Sequence, residues 1–183
     1  MRVLVACEFS GRVRDAFIRR GHDAWSCDLL PSEAPGPHIE GDILPILGQG
    51  WDLMIAHPPC TYLCRSGARW WRGREADQAK AYDFFMALVN APIPRIAVEN
   101  PIGIMSTRYR KPDQIVQPWW FGCGETKATC LWLKNLPPLQ KTSPVSGRLP
   151  RIHFLGPTKD RGKLRSITYL CIAEAMASQW SNL

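Results

Sequence analysis

The sequence lacks any apolar run near the roughly 18 residues that a membrane-spanning helix needs. It also lacks a secretory-type leader, because residues 2–6 run directly into a pattern typical of a buried strand. Its seven cysteines are odd in number and unevenly spaced, which argues against a disulfide framework and favours reduced thiols. We therefore expect a cytoplasmic protein with no membrane partner.

Acidic residues are scarce relative to basic ones. The chain has 16 Asp and Glu against 23 Lys and Arg, a formal charge of +7, which favours an anionic partner and most commonly nucleic acid. We find no internal repeat and no low-complexity segment. A length of 183 residues suits one domain with a sizeable core, so residues 1–183 are interpreted as a single domain.

Apolar runs alternate with helical patterns in the first half, which is typical of an α/β fold with a mostly parallel sheet. The predicted strands cover 2–7, 23–27, 52–56 and 95–98, with a short one at Ile39-Glu40. The predicted helices run from Ser10 to about Arg20 and over 75–90. Residues 106–165 are irregular and rich in proline apart from a strand near 126–133, and a final helix is predicted over 166–180.

Polar or reactive residues follow five consecutive predicted strands. They are Glu8 to Gly11, Asp28, Asp42, Pro58 to Cys60, and Glu99 to Pro101. Ligands of open parallel sheets bind beyond the carboxyl ends of the strands, where the loops meet. We therefore place the functional site at this edge of the sheet.

Two features of these loops bear on the cofactor. Asp28, after the second strand, is placed to accept hydrogen bonds from ribose hydroxyls, although it could equally cap a helix or be a surface carboxylate. The first loop offers only Gly11 where a phosphate-cradling loop has several glycines. This pattern weakens the case for a pyrophosphate and suits a cofactor without phosphate.

Cys60 differs from the other cysteines in its context. Two prolines precede it and stiffen the backbone, which suits a nucleophile held in one position. Cysteines inside strand or helix patterns are interpreted instead as small buried hydrophobic residues; these are Cys7, Cys27, Cys130 and Cys171.

Two segments carry a family resemblance. His57-Pro58-Pro59-Cys60 resembles the Pro-Pro-Cys motif of the DNA cytosine-5 methyltransferases, and Val98-Glu99-Asn100-Pro101 resembles their Glu-Asn-Val motif, in the same order and separation. The resemblance covers about residues 1–105 and is closest to short phage and prophage members without a target-recognition domain. It implies a Rossmann-like, doubly wound S-adenosylmethionine-dependent methyltransferase domain.

The resemblance also implies roles for individual residues. Cys60 would add to carbon 6 of cytosine, which makes carbon 5 nucleophilic toward the methyl group, and Glu99 would contact N3 and the exocyclic amine. The implied cofactor-binding residues are Cys7, Glu8, Phe9, Ser10, Gly11, Asp28, Leu29, Asp42, Ile43 and Pro58. The substrate-binding candidates are Pro59, Asn100, Arg65, Arg69, Arg72 and Lys127.

The arginine candidates lie in a segment that interleaves cations with aromatics, from Arg65 to Arg74. It could contact DNA phosphates while Trp70 and Trp71 stack on bases, or it could be a solvated loop anchored by a tryptophan. The arginine pair that assists the base in the family has no counterpart here, so Lys127 or the region of Arg165 is the candidate for that role.

Other interpretations remain open. The chain could bind nucleic acid or the cofactor without catalysing transfer, could modify carbon 5 of a free pyrimidine nucleotide, or could act with a second copy or a separate specificity partner. A zinc deaminase signature, His38-Ile39-Glu40 with Pro59-Cys60 and Cys64, fails because the second cysteine comes one residue late. A zinc site formed by His57, Cys60 and Cys64 lacks a matching second pair at tight spacing.

Overall fold

The computed structural model describes the backbone of residues 1–183 and every side chain except that of Trp70. The strands are β1 (Arg2–Ala6), β2 (Asp23–Asp28), β3 (His38–Glu40), β4 (Leu53–Ala56), β5 (Arg95–Pro101), β6 (Gln114–Val116) and β7 (Thr129–Lys134). The helices are α1 (Arg12–Ile18), α2 (Glu75–Val89), α3 (Met105–Arg108), α4 (Arg161–Ser166) and α5 (Leu170–Trp180).

The seven strands form one sheet in the order β3-β2-β1-β4-β5-β7-β6. The five strands from β3 to β5 are parallel, whereas β7 runs antiparallel to both β5 and β6. The prediction of an α/β fold with a mostly parallel sheet is confirmed. The direction of chain progression reverses between β1 and β4, which opens a crevice at the carboxyl ends of the central strands.

Both faces of the central strands are buried, which explains their continuous apolar runs. On one face, residues such as Val3, Val5 and Ile55 pack with α1 and α5. The alternate residues, such as Leu4 and Met54, face the opposite layer, which contains α2. The helices therefore hold the sheet from both sides and leave its carboxyl edge to the loops.

The second half differs from the sequence-based prediction in several places, among them the end of β5 at Pro101 rather than at 98 and the short helix α3. The final helix begins at Leu170 rather than at 166, and a separate short helix, α4, precedes it. The strand predicted near 126–133 covers Thr129–Lys134. Strand β6 lies within the region predicted to be irregular, because three residues paired along one edge of β7 give too short a pattern to detect.

Cys123 and Cys171 form a disulfide that joins the loop before β7 to the first turn of α5. The expectation of reduced thiols throughout is therefore wrong for this pair, and the interpretation of Cys171 as a buried hydrophobic residue is corrected. The other five cysteines are free thiols.

Within the described part of the chain, no helix is both long enough and apolar enough to cross a bilayer.

Candidate functional site

The loops that follow β1, β2, β4 and β5 all leave the sheet at one edge. Ala6 lies beside Ala56, and Ala56 lies beside Val98, so the next residues of the three strands emerge together. The structure thus brings Cys7, His57 and Glu99 to one edge of the sheet, with Cys60 three residues beyond His57.

A tight turn presents Cys60 at the crevice between β1 and β4. The backbone N–H groups of Leu63 and Cys64 both donate to the Cys60 carbonyl oxygen, at 3.0 and 2.9 Å. The buried Asn100 donates from Nδ2 to the Pro58 carbonyl oxygen at 2.9 Å. Asn100, which directly follows Glu99, is thereby bonded to Pro58, two residues before the nucleophile candidate Cys60.

A second connection joins the same two loops. Cys64 forms a β-bridge with Gly103, while Arg65 N–H donates to Ile102 and Ile104 N–H donates to Leu63. A Cβ atom on Gly103 would lie 2.0 Å from the Leu63 carbonyl oxygen, so only glycine permits this approach. The relative position of Cys60 and Glu99 is thus set by backbone contacts on both sides.

His57, noted in the sequence only as a replacement for a glycine, is a partner of Glu99. Its Nδ1 lies 3.1 Å from Glu99 Oε2, and the two side chains are 6% and 14% exposed. Burial alone would raise the pKa of Glu99, but the hydrogen bond with His57 and the positive charge of Lys127 lower it below its ordinary value. The two residues lie 42 positions apart, so no local sequence pattern pairs them.

The lowered pKa of Glu99 predicts a pH-dependent effect of His57→Phe. Ionised Glu99 stabilises the native protein above its unfolded pKa of about 4.3, and this contribution is lost as the pH falls through the lower folded pKa. Without His57, burial dominates and the pKa of Glu99 rises. The loss of unfolding free energy in urea titrations should therefore be larger at pH 7 than near about pH 3. In a Glu99→Gln background this pH dependence should disappear; its persistence there would contradict the assignment.

Cys60 and Cys64 form a coupled pair of thiols. The hydrogen bond from Cys60 to Cys64, followed by burial, raises the pKa of Cys60, and Lys127 partly offsets this. The same hydrogen bond lowers the pKa of Cys64, with further stabilisation of its thiolate from Ser66, the Gly67 N–H and the charge of Arg165. The pair can therefore hold one negative charge beside Lys127 and Arg165.

Two buried polar atoms at the site have no hydrogen-bond partner among the described atoms. They are His57 Nε2 and Asn100 Oδ1. Buried polar atoms in native proteins are nearly always satisfied, so each unsatisfied atom calls for a partner such as water or a ligand. Both atoms belong to residues that contact the loops of Cys60 and Glu99.

Glu8 has a local role in the first loop. Its carboxylate accepts hydrogen bonds from the N–H groups of Val13 and Arg14 at 2.7 and 3.2 Å, and from Ser10 Oγ at 3.2 Å. Glu8 therefore caps the start of α1, where a negative charge is also favoured by the helix dipole, while Ser10 Oγ accepts from the Arg12 N–H at 3.4 Å. Gly11, with φ of 72°, allows the sharp entry into the helix.

The acidic candidates face Cys7 across the crevice. Burial raises the pKa of Cys7, and the nearby charges of Asp28 and Asp42 raise it further. Each of these carboxylates uses its Oδ1 in a local turn, accepting from Leu30 N–H and Leu44 N–H respectively. The remaining candidates there differ in exposure, since Leu29 is 75% exposed whereas Ile43 is 4% exposed and packs in the core.

The inner end of the crevice is almost closed. Residues 166–168 cover the first loop, and the space that remains is about 10 Å³, lined by Cys7, Glu8, Phe9, Ser10, His57, Ser166, Ile167 and Thr168. Lys163, just before this segment, holds it close to the first loop. Its Nζ pairs with Glu33 at 2.5 Å and lies 5.1 Å from the centre of the Phe9 ring.

A larger cavity of about 450 Å³ lies apart from the site, between α2 and β7. Its cations are already engaged: Arg110 pairs with Asp113 at 2.7 Å, and Lys134 donates to the Ala91 carbonyl oxygen at 3.2 Å. We assign no function to it.

The substrate-binding candidates fall into two groups. Arg65, Arg69 and Arg72 are exposed on the segment after Cys60. The Trp71 indole N–H donates to the Thr61 carbonyl oxygen at 3.4 Å, while the stacking predicted for Trp70 lies outside the described side chains. On the other side of the crevice, Lys127 Nζ donates to the Arg165 carbonyl oxygen at 2.8 Å. Pro59 is exposed beside Cys60.

Within the described side chains, no three His, Cys, Asp or Glu residues come together to hold a metal ion.

The sequence matches no protein-family model and no curated protein. Among solved structures, the chain is similar to a protein encoded within an E. coli prophage and described as a proposed DNA modification methyltransferase. The identity is 16% and the TM-score is 0.49, over 73% of this chain and 46% of the other. The chain thus spans about half the length of that structure.

Proposed function

We propose that this protein is an S-adenosylmethionine-dependent DNA cytosine-5 methyltransferase built on a Rossmann-like domain. The observation that carries the proposal is the rigid placement of Cys60 beside Glu99. Asn100 bonds the two loops on one side, and the Cys64–Gly103 bridge joins them on the other. A nucleophile and an acid held this way suit a reaction that requires both to contact one flat ring.

In the proposed reaction, Cys60 Sγ adds to carbon 6 of cytosine and the C5–C6 double bond opens. The electron pair at carbon 5 would take the methyl group from the sulfonium of S-adenosylmethionine, which would leave as S-adenosylhomocysteine; loss of the C5 proton to water then re-forms the C5–C6 double bond and expels the Cys60 thiolate. Cys60 attacks as the thiolate, so its proton must first leave to solvent; the charge of Lys127 favours this ionisation, whereas the hydrogen bond to Cys64 opposes it. Glu99 contacts N3 and the exocyclic amine, and its bond to His57 fixes the orientation of the carboxylate.

Lys127 takes the place of the missing arginine pair in this proposal. Its charge acts on both Cys60 and Glu99, lowering the pKa of each. A cation whose charge reaches both the thiol and the carboxylate stabilises negative charge that develops during the attack. The bond from Lys127 to Arg165 holds the ammonium group at this position.

The residues of the crevice suit the cofactor at its adenosine end. Asp28 and Asp42 each keep one carboxylate oxygen outside their local turns, and Leu29 offers an exposed apolar surface for a base. His57 Nε2 supplies an unsatisfied polar atom at the inner end. S-adenosylmethionine, when bound there, would supply the electrophilic methyl group. Because only about 10 Å³ is open inside, residues 166–168 must move outward to admit it.

The narrow inner crevice is also the observation that favours the second candidate, a methyltransferase-like protein that binds nucleic acid without transferring a methyl group. A nucleotide substrate, a second copy and a separate specificity partner are further alternatives. Only the nucleotide substrate changes the reaction product; a second copy or a partner leaves the product the same.

Transfer of labelled methyl from S-adenosylmethionine to cytosine-containing DNA tests the proposal directly. We expect label at carbon 5, together with a denaturation-resistant complex when the cytosines are replaced by 5-fluorocytosine. Label on cytidine nucleotides but not on DNA would select the nucleotide enzyme. DNA binding with no transferred label would select the non-catalytic protein.

A further inference from the structure

The positive charge of this protein is concentrated in two segments. Residues 65–74, which we call the arginine turn, contain four arginines and no acidic residue. Residues 141–165, which we call the basic arm, contain seven Lys and Arg and one Asp. Together they carry ten net positive charges against seven for the whole chain, so the rest of the protein is net negative by three.

The arginine turn and the last part of the basic arm lie at the edge of the sheet that holds Cys60, whereas the arm begins beside Gln140, which is bonded to Gln179 near the end of α5. The arginine turn begins five residues after Cys60 and is fastened by the bond from Arg65 N–H to Ile102. The basic arm ends at Arg165, which accepts a bond from Lys127 and whose charge acts on Cys64. Its first half packs on the loop before β7, through Val145 N–H to Trp119 and Leu149 N–H to Gly124.

The basic arm also presents aromatic surface. The Arg148 guanidinium lies 3.7 Å from the centre of the Trp119 ring, and Lys141 Nζ lies 4.5 Å from that of Trp120. Both cations belong to exposed residues, and Phe154 is 80% exposed. Surfaces that bind a nucleic-acid backbone and stack on its bases typically combine cations that lie against aromatic rings with an exposed aromatic side chain.

We propose that the basic arm is the second wall of a DNA-binding cleft, with the arginine turn opposite it and Cys60 between them. This inference rests on the proposed function. It assigns to residues 141–165 the contacts with the DNA backbone that a separate recognition domain would otherwise make. Lys141 and Arg148 contact phosphates, while Phe154 stacks on an unpaired base. Contacts of this kind are independent of sequence, so the arm confers affinity rather than target choice.

The test is the salt dependence of binding to a fluorescent DNA duplex, measured separately from methyl transfer. Lys141→Ala/Arg148→Ala should lower the slope of log K against log salt by about 2 and weaken binding to all sequences alike. Lys141→Arg/Arg148→Lys keeps both charges and should keep the slope. Arg20→Ala/Lys111→Ala removes two charges at the opposite edge of the sheet and should change little.

The outcomes separate this inference from the proposed function. An unchanged slope in Lys141→Ala/Arg148→Ala would overturn the role of the arm even if the protein methylates DNA. Binding that depends on the arm, without any transfer, would support the cleft and reject the enzyme. Stronger arm-dependent binding to anionic lipid vesicles than to DNA would also overturn the inference.

Discussion

Cys60→Ser is expected to abolish methyl transfer, lowering the rate by more than about 10³-fold, the scale observed when a covalent nucleophile is removed. A serine hydroxyl keeps nearly the same size but ionises far less readily than a thiol, so the adduct at carbon 6 does not form. Cofactor binding and the free energy of unfolding should stay close to those of the wild type, because the Cys60 backbone carbonyl still holds the turn and a serine hydroxyl can keep the side-chain hydrogen bond to Cys64. The measurements are transfer of labelled methyl and trapping on 5-fluorocytosine DNA.

Cys64→Ser is the matched control, since the two thiols lie in one turn and hydrogen-bond to each other. It removes the interactions with Cys64 that raise the pKa of Cys60, so the pKa of Cys60 should fall. Cys60 then forms a thiolate at lower pH, and trapping should persist in this variant. If Cys64→Ser lost the adduct while Cys60→Ser kept it, the assignment of the nucleophile would be reversed.

The central sheet was predictable because burial on both faces leaves a strong signature. Continuous apolar runs such as Leu53–Ala56 read as strands, and the polar residues after them mark the edge where loops converge. Strand β6 and helix α4 were not predictable, because each has few residues and is placed by tertiary contacts. The disulfide was not predictable either, since it joins residues 48 positions apart without a spacing pattern.

The sequence indicates individual residues of the candidate site but not the connections between them. The motifs indicated Cys60 and Glu99, and the missing arginines pointed to Lys127, which the structure places where its charge reaches both. The bond from His57 to Glu99 depends on the parallel register of β4 and β5, which a single sequence does not reveal. The same holds for the approach of Gly103 to Leu63.

Gly103→Ala is expected to damage both stability and transfer. The added Cβ would meet the Leu63 carbonyl oxygen at 2.0 Å and the Cys64 Cα at 2.9 Å. These are backbone atoms that cannot rotate away, so the loops must separate. We expect a loss of about 3 kcal/mol of unfolding free energy, in the upper range for overpacked sites. Transfer should fall about 100-fold, because a shift near 1 Å misaligns Cys60 and Glu99. Urea denaturation and the transfer assay measure the two effects.

Gly162→Ala provides the control, because a Cβ at that position in α4 meets no atom within 4 Å. Alanine favours a helix over glycine by about 0.5–1 kcal/mol, so this variant should be slightly more stable than the wild type. Its transfer rate should be unchanged, since no backbone contact between the Cys60 and Glu99 loops passes through it. Wild-type transfer by Gly103→Ala would instead show that the Cys64–Gly103 bridge does not set the distance between nucleophile and acid.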